Sequence, residues 1–203
     1  LLRRGSMHAA LGSGREAEQP LREAMELATA ASDTAVVCAA LRWLAVAIGY
    51  QGRFAEACSL YATLRQRAEA ASLDELEAWG MVGTGYCAET AGEHDAARSD
   101  FLAAIDIFAG LGRPQAELFA LNSYGNASAH LGDYRSAFAS YERAAVLAAG
   151  LDNLFLQAMA INNLGTLDFQ LGDPGRAAAR FESAAAMFGR DGNRREQLNS
   201  RAN

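Results

Sequence analysis

Glycine recurs every 40 residues along the chain, as Gly12, Gly52, Gly92, Gly132 and Gly172. An alanine follows each at the fifth place: Ala17, Ala57, Ala97, Ala137 and Ala177. A fixed period of this size means that one supersecondary unit is copied along the chain and stacked on itself. The spacing predicts repeats over 1–31, 32–71, 72–111, 112–151 and 152–191, with 192–203 as the start of a terminal helix. The expected domain is thus one continuous solenoid over residues 1–203. Both ends fall inside a repeat, so the chain is expected to be one arm of a longer protein.

Other columns keep the same register. Seven residues before each glycine stand Gly5, Ala45, Gly85, Gly125 and Gly165; nine after stand Leu21, Tyr61, Phe101, Tyr141 and Phe181. Small and large residues alternate because close helix approach needs small side chains. The large residue is expected to fill the space that the neighbouring unit leaves open. Apolar residues recur at helical spacing, as in Ala137, Tyr141, Ala144 and Ala145. No stretch alternates as a strand does. Each ladder glycine reads as a residue just past a helix, where positive φ is cheap.

Ser13-Gly14-Arg15-Glu16 and Ser72-Leu73-Asp74-Glu75 fit the capping box. Asp173-Pro174 and Pro114 read as helix openings. Pro20 predicts a kink or a late helix start. The resulting map is 1–11, 14–31, 34–51, 54–70, 74–91, 94–110, 114–131, 134–150, 154–171, 174–188 and a last short helix over 194–202.

Half the residues are apolar (51%), enough for a core, and the net charge is −6. All 18 basic residues are arginine, which reads as a high-GC coding bias and a bacterial source. Scattered arginines on an acidic chain lack the concentrated basic face that nucleic acid requires. No apolar run approaches the roughly 18 residues of a membrane span. Cys38, Cys58 and Cys87 are odd in number and form no CxxC, and read as reduced, mostly buried thiols of a cytoplasmic protein. His8, His94 and His130 fall in different columns, so no metal site is expected. No nucleophile-base set, paired carboxylates or phosphate loop occurs, and neither catalysis nor a cofactor is expected. Glu75, Glu77, Asp168 and Asp173 read as caps and solvated faces.

Tyr124-Gly125 through Leu131-Gly132-Asp133-Tyr134, with Ala137, Tyr141 and Ala144, resembles the tetratricopeptide repeat, as does Asn163-Leu164-Gly165 through Leu171-Gly172-Asp173, with Ala177, Phe181 and Ala184. The resemblance covers the whole chain. The unit is longer than the common one of about 34 residues. It resembles the variant of kinesin light chains, Leu-Gly-Asn scaffolds and the helical arms of bacterial signalling ATPases and transcription regulators. The tryptophan column holds Leu1, Leu41, Met81, Leu121 and Ile161 instead. The resemblance implies an all-α, right-handed α-solenoid whose first helices line a concave groove.

Carried over by register, the groove residues are Arg42, Val46, Tyr50, Trp79, Val82, Tyr86, Phe119, Asn122, Asn126, His130, Met159, Asn162, Asn163 and Thr166. Trp79, Phe119 and Met159 read either as an exposed binding patch or as packing on the preceding helix. The asparagines read either as grips for a peptide backbone, whose N–H and C=O an amide matches, or as bonds within and between helices. A full carboxylate clamp lacks its basic residues here. Three readings of the function compete. The first is a non-enzymatic scaffold that recognises a protein or peptide. The second is a regulatory or self-assembly arm of a bacterial signalling protein, which forms homodimers through its ends or its groove. The third and weakest is a catalytic domain.

Overall fold

The computed structural model describes residues 1–191 and Ser200. Among the described residues the order is α1 (Leu2–Ala10), α2 (Gly14–Ala30), α3 (Thr34–Tyr50), α4 (Phe54–Ala70), α5 (Asp74–Thr90), α6 (His94–Gly110), α7 (Pro114–His130), α8 (Tyr134–Gly150), α9 (Leu154–Gln170) and α10 (Pro174–Asp191), with no strand. The expected helix at 194–202 lies, Ser200 apart, outside the described residues.

From α2 to α9 every helix is 17 residues long. At 1.5 Å per residue each is about 25 Å long. The three-residue turns between them are alike. The middle residue takes positive φ at Gly12, Ser32, Gly52, Ser72, Gly92, Gly112, Gly132, Asp152 and Gly172. The backbone therefore repeats every 20 residues, half the interval that the glycines mark. Each turn carries a Schellman pair. In the first, Gly12 N–H donates to Ala9 C=O at 3.0 Å and Ser13 N–H to His8 C=O at 2.9 Å. The same pair closes the turn at Ser72, where Ser72 N–H donates to Glu69 C=O and Leu73 N–H to Ala68 C=O.

Two expected capping boxes do not form. Ser72 occupies the left-handed position, so the N-cap of α5 falls to Leu73. Ser13 is the N-cap of α2, but its side chain makes no capping bond. Side-chain caps come from Asp33, Asp133, Asn153 and Asp173, each accepting the amide three residues on. Pro114 opens α7 and Pro174 opens α10. The helix α2 starts on time and runs through Pro20.

The chain divides into two compact units, Leu1–Ile107 and Phe108–Asn203, with the division inside α6. In the first unit, one core gathers Ala9, Ala17, Leu21, Leu44, Ala47, Ile48 and Ala57 from α1 to α4. A second gathers Ala28, Val37, Cys38, Leu41, Leu64 and Ala68. Glu18, Arg22, Arg53 and Glu56 join α2 to the start of α4 in a four-membered charge cluster, with Arg22–Glu56 at 2.9 Å and Arg53–Glu18 at 2.8 Å. Asp100 of α6 accepts from Arg65 of α4 at 2.8 Å and from Thr84 of α5 at 2.6 Å.

In the second unit, Ala137, Tyr141, Leu164 and Leu167 pack together across α8 and α9, and Ala158, Ala184 and Phe188 across α9 and α10. Buried Glu117 pairs with Arg143. Asp168 is not a solvated residue: it is 2% exposed, and Arg180 covers it at 2.8 Å.

In four of the five repeats the small and large columns meet inside the unit rather than across to the next. A Cβ at Gly85 would stand 2.6 Å from the Phe101 ring, and at Gly125 2.5 Å from the Tyr141 ring. Gly5 faces Leu21 and Gly165 faces Phe181 in the same way. Tyr61 is the exception: Ala45 replaces the glycine of its own repeat, and its ring lies against Gly83 of α5.

Candidate functional site

Two cavities lie among the residues that the register selects, one in each unit. The first, of about 520 Å³, sits between α3, α4 and α5. Four aromatic residues line it, Tyr50, Phe54, Tyr61 and Tyr86, together with Val46 and small residues. Tyr50 and Phe54 are each 62% exposed and Tyr86 43%. Tyr86 is held edge-on against Phe101, with ring centroids 5.4 Å apart.

Cys58 and Cys87 line the same cavity and form a disulfide between α4 and α5, with Cα atoms 5.8 Å apart. This corrects the expectation of reduced thiols at both positions. Cys58 stands six past one ladder glycine and Cys87 five before the next, so no column pairs them. Cys38 is free and buried, as expected. Burial pushes its thiol pKa up, and Arg67 opposes this.

Arg42 stands one helical turn before Val46 on α3. Its guanidinium carbon lies 3.7 Å from the centre of the Trp79 ring and 4.6 Å from that of Trp43. Desolvation pushes its pKa down to about 10, opposed by the charges of Tyr61 and Glu75. Burial pushes Tyr61 up to about 12, with Arg42 acting the other way. Val82, on the same wall by register, is 5% exposed and belongs to the core.

The second cavity, of about 270 Å³, is lined by Asn126, His130, Tyr134, Tyr141, Asn163 and Thr166 among others. The asparagines spend part of their capacity internally. Tyr141 O–H donates to Asn126 Oδ1 at 2.6 Å. Asn163 Nδ2 donates to Asn122 Oδ1 at 3.4 Å, and Asn122 Nδ2 to Leu118 C=O at 3.1 Å. Asn122 is 8% exposed and stands behind the wall. Asn162 points elsewhere, accepting from Ser200 at 2.8 Å. Asn126 Nδ2 and Asn163 Oδ1 are left without a bond to any described residue. Asn126 and Asn163 both line this cavity. Phe119 is 44% exposed, while Met159 packs beside Ala158, Ala184 and Phe188.

No group of three or more His, Cys, Asp or Glu among the described residues could hold a metal ion. No helix among them is long and apolar enough to cross a membrane.

Residues 1–49 match the family model described as Anaphase-promoting complex subunit 5. No curated protein matches the chain. Solved structures do. The chain is similar to BtubC (BKLC) from P. vanneervenii at 20% identity, over 98% of this chain and 87% of that one, with a TM-score of 0.67. It is similar at 20% identity to a Signal Transduction ATPase with Numerous Domains protein with a tetratricopeptide repeat sensor, from Pyrococcus horikoshii. That match covers 98% of this chain but only 30% of that one, with a TM-score of 0.82. A Rap protein complexed with Competence and Sporulation Factor matches at 14% identity and a TM-score of 0.70, over 97% of this chain and 59% of that one. The fold is that of a tetratricopeptide-like α-solenoid.

Proposed function

We propose that this chain is a non-enzymatic recognition module that captures an extended peptide of a partner protein. The observation that carries this reading is that Asn126 and Asn163 line one cavity, each with an amide group, Nδ2 and Oδ1 respectively, that no described residue bonds. An extended backbone presents N–H and C=O groups with that complementarity. The buried ends of the same amides are fixed by Tyr141 and Asn122, so their outward groups are held in place before a ligand arrives. A peptide array tests the reading: Asn126→Ala with Asn163→Ala is expected to abolish capture and leave helicity unchanged. Equal binding by the double variant would refute it.

The second reading is a sensor or regulatory arm within a larger signalling protein. It is favoured by the likeness of 98% of this chain to part of a signal-transduction ATPase with a repeat sensor. Self-assembly through an end or a groove face belongs to this reading. Light scattering over a concentration series tests it; a strict monomer throughout would count against assembly.

A further inference from the structure

The first unit holds a cation whose role the fold does not explain. Arg42 is half-buried, and no described residue accepts a hydrogen bond or forms an ion pair with it. The chain's other charged clusters are differently built: Arg22 and Arg53 each contact two carboxylates, and Arg65 contacts Asp100. Two indoles stabilise the charge of Arg42 through their π faces but accept none of its five N–H bonds. Glu75 and the Tyr61 hydroxyl act on it only through their fields. A desolvated donor fork without an acceptor is costly, and a ligand carboxylate would satisfy it in a bidentate manner.

We propose that Arg42, resting on Trp43 and Trp79, receives an acidic side chain of an extended peptide, while a bulky apolar side chain of the same peptide enters the cavity lined by Tyr50, Phe54, Tyr61 and Tyr86. The proposal rests on the peptide-recognition reading above and adds to it the class of sequence recognised. Charge complementarity selects the ligand. A single cation in an aromatic surround matches one carboxylate, whereas the chain's net charge of −6 repels a polyanion.

Geometry sets the spacing. Val46 and Tyr50 lie one and two turns from Arg42 on α3, or about 6 and 12 Å along the helix. An extended chain advances about 3.3 Å per residue and presents alternate side chains on one face. The acidic and apolar residues should therefore be separated by two or four positions.

The experiment is a peptide array in which Glu and Phe stand one, two, three or four residues apart, each with a Gln-for-Glu counterpart. The probes are the labelled wild-type chain, Arg42→Gln, Arg42→Lys and Arg42→Met. Wild type is expected to prefer Glu to Gln by about tenfold or more at spacings of two and four. Arg42→Gln should lose that preference, and Arg42→Lys should recover only part of it. Arg42→Met should also lose it while its thermal midpoint holds or rises, which separates lost recognition from lost folding. Peptide capture with no preference for Glu, or a preference unchanged in Arg42→Gln, would overturn the proposal and leave the recognition reading standing. Binding of no peptide by wild type would overturn both.

Discussion

Gly125→Ala tests the packing of the repeat. In a helix interior this change ordinarily stabilises by about 1 kcal/mol. Here the new Cβ would stand 2.5, 2.8 and 2.9 Å from three atoms of the Tyr141 ring. The ring has little room to withdraw, because Tyr141 is 3% exposed and packs among Ala137, Leu164 and Leu167. Overpacking of this kind costs about 1–3 kcal/mol. Displacing the ring also breaks the 2.6 Å bond from Tyr141 to Asn126, which adds about 1 kcal/mol. The propensity gain offsets that last amount, leaving a net loss of about 1–3 kcal/mol. Gly150→Ala is the control: it lies at the end of α8, and its Cβ would meet no atom within 4 Å. It should be neutral or stabilising by up to about 1 kcal/mol. Urea unfolding followed by circular dichroism measures both. A Tyr141→Leu change should recover part of the Gly125→Ala loss, with a coupling of about 1 kcal/mol in the double-mutant cycle. If Gly125→Ala behaves like Gly150→Ala, the ring does not need that glycine and the packing argument fails.

Ser72, with φ of 52°, is strained where a glycine would not be, so Ser72→Gly should stabilise by about 0.5–1 kcal/mol in the same urea assay; a loss would show that the hydroxyl contributes more than the strain costs. Burial pushes the Glu18 carboxyl pKa up, but hydrogen bonds from Gln51, Arg22 and Arg53 together outweigh this and hold it below the ordinary 4.5; Glu56 is lowered first by its bond from Arg22. Their contribution is complete above that ordinary value and is lost as pH falls from it through the lowered folded values, so Glu18→Gln should flatten the acid limb of a stability–pH profile, and an unchanged limb would refute the pairing. Unfolded without reductant, the chain should titrate as one thiol, rising to three on reduction. The bridge spans a sequence separation of 29 residues, and Cys58→Ala should lower stability by up to about 3.5 kcal/mol on the chain-entropy account; three thiols before reduction would exclude the disulfide.

Much of the fold was legible because the repeat is regular. The glycine ladder locates the turns, and the columns around it locate the buried alanines and rings. Ser32, Ser72 and Asp152 hid the second ladder, because a non-glycine residue at positive φ carries no sequence signal as plain as glycine's. Ser72 was misread as a cap for the same reason. The site was less legible. Register selected Val46, Tyr50, Tyr86, Asn126, His130, Asn163 and Thr166 as one groove; in the structure the first three line one cavity and the other four another. It could not separate Val82, which is buried, from its neighbours, because a groove position and a core position differ by a fraction of a helical turn.

The sequence by itself determined an all-α chain with a 40-residue spacing and the approximate places of its helices, which follow from local backbone preference and periodic burial; α10, expected over 174–188, runs on to Asp191. Only the tertiary structure decided which side chains meet across helices. It joined Cys58 to Cys87, covered Asp168 with Arg180, bound one end of Asn126 and of Asn163 to Tyr141 and Asn122, and set Arg42 on two indoles with no hydrogen-bonded or ion-paired carboxylate. Those pairings link residues from different columns of the repeat, and a period read along the chain carries no information about the distance between its columns in space.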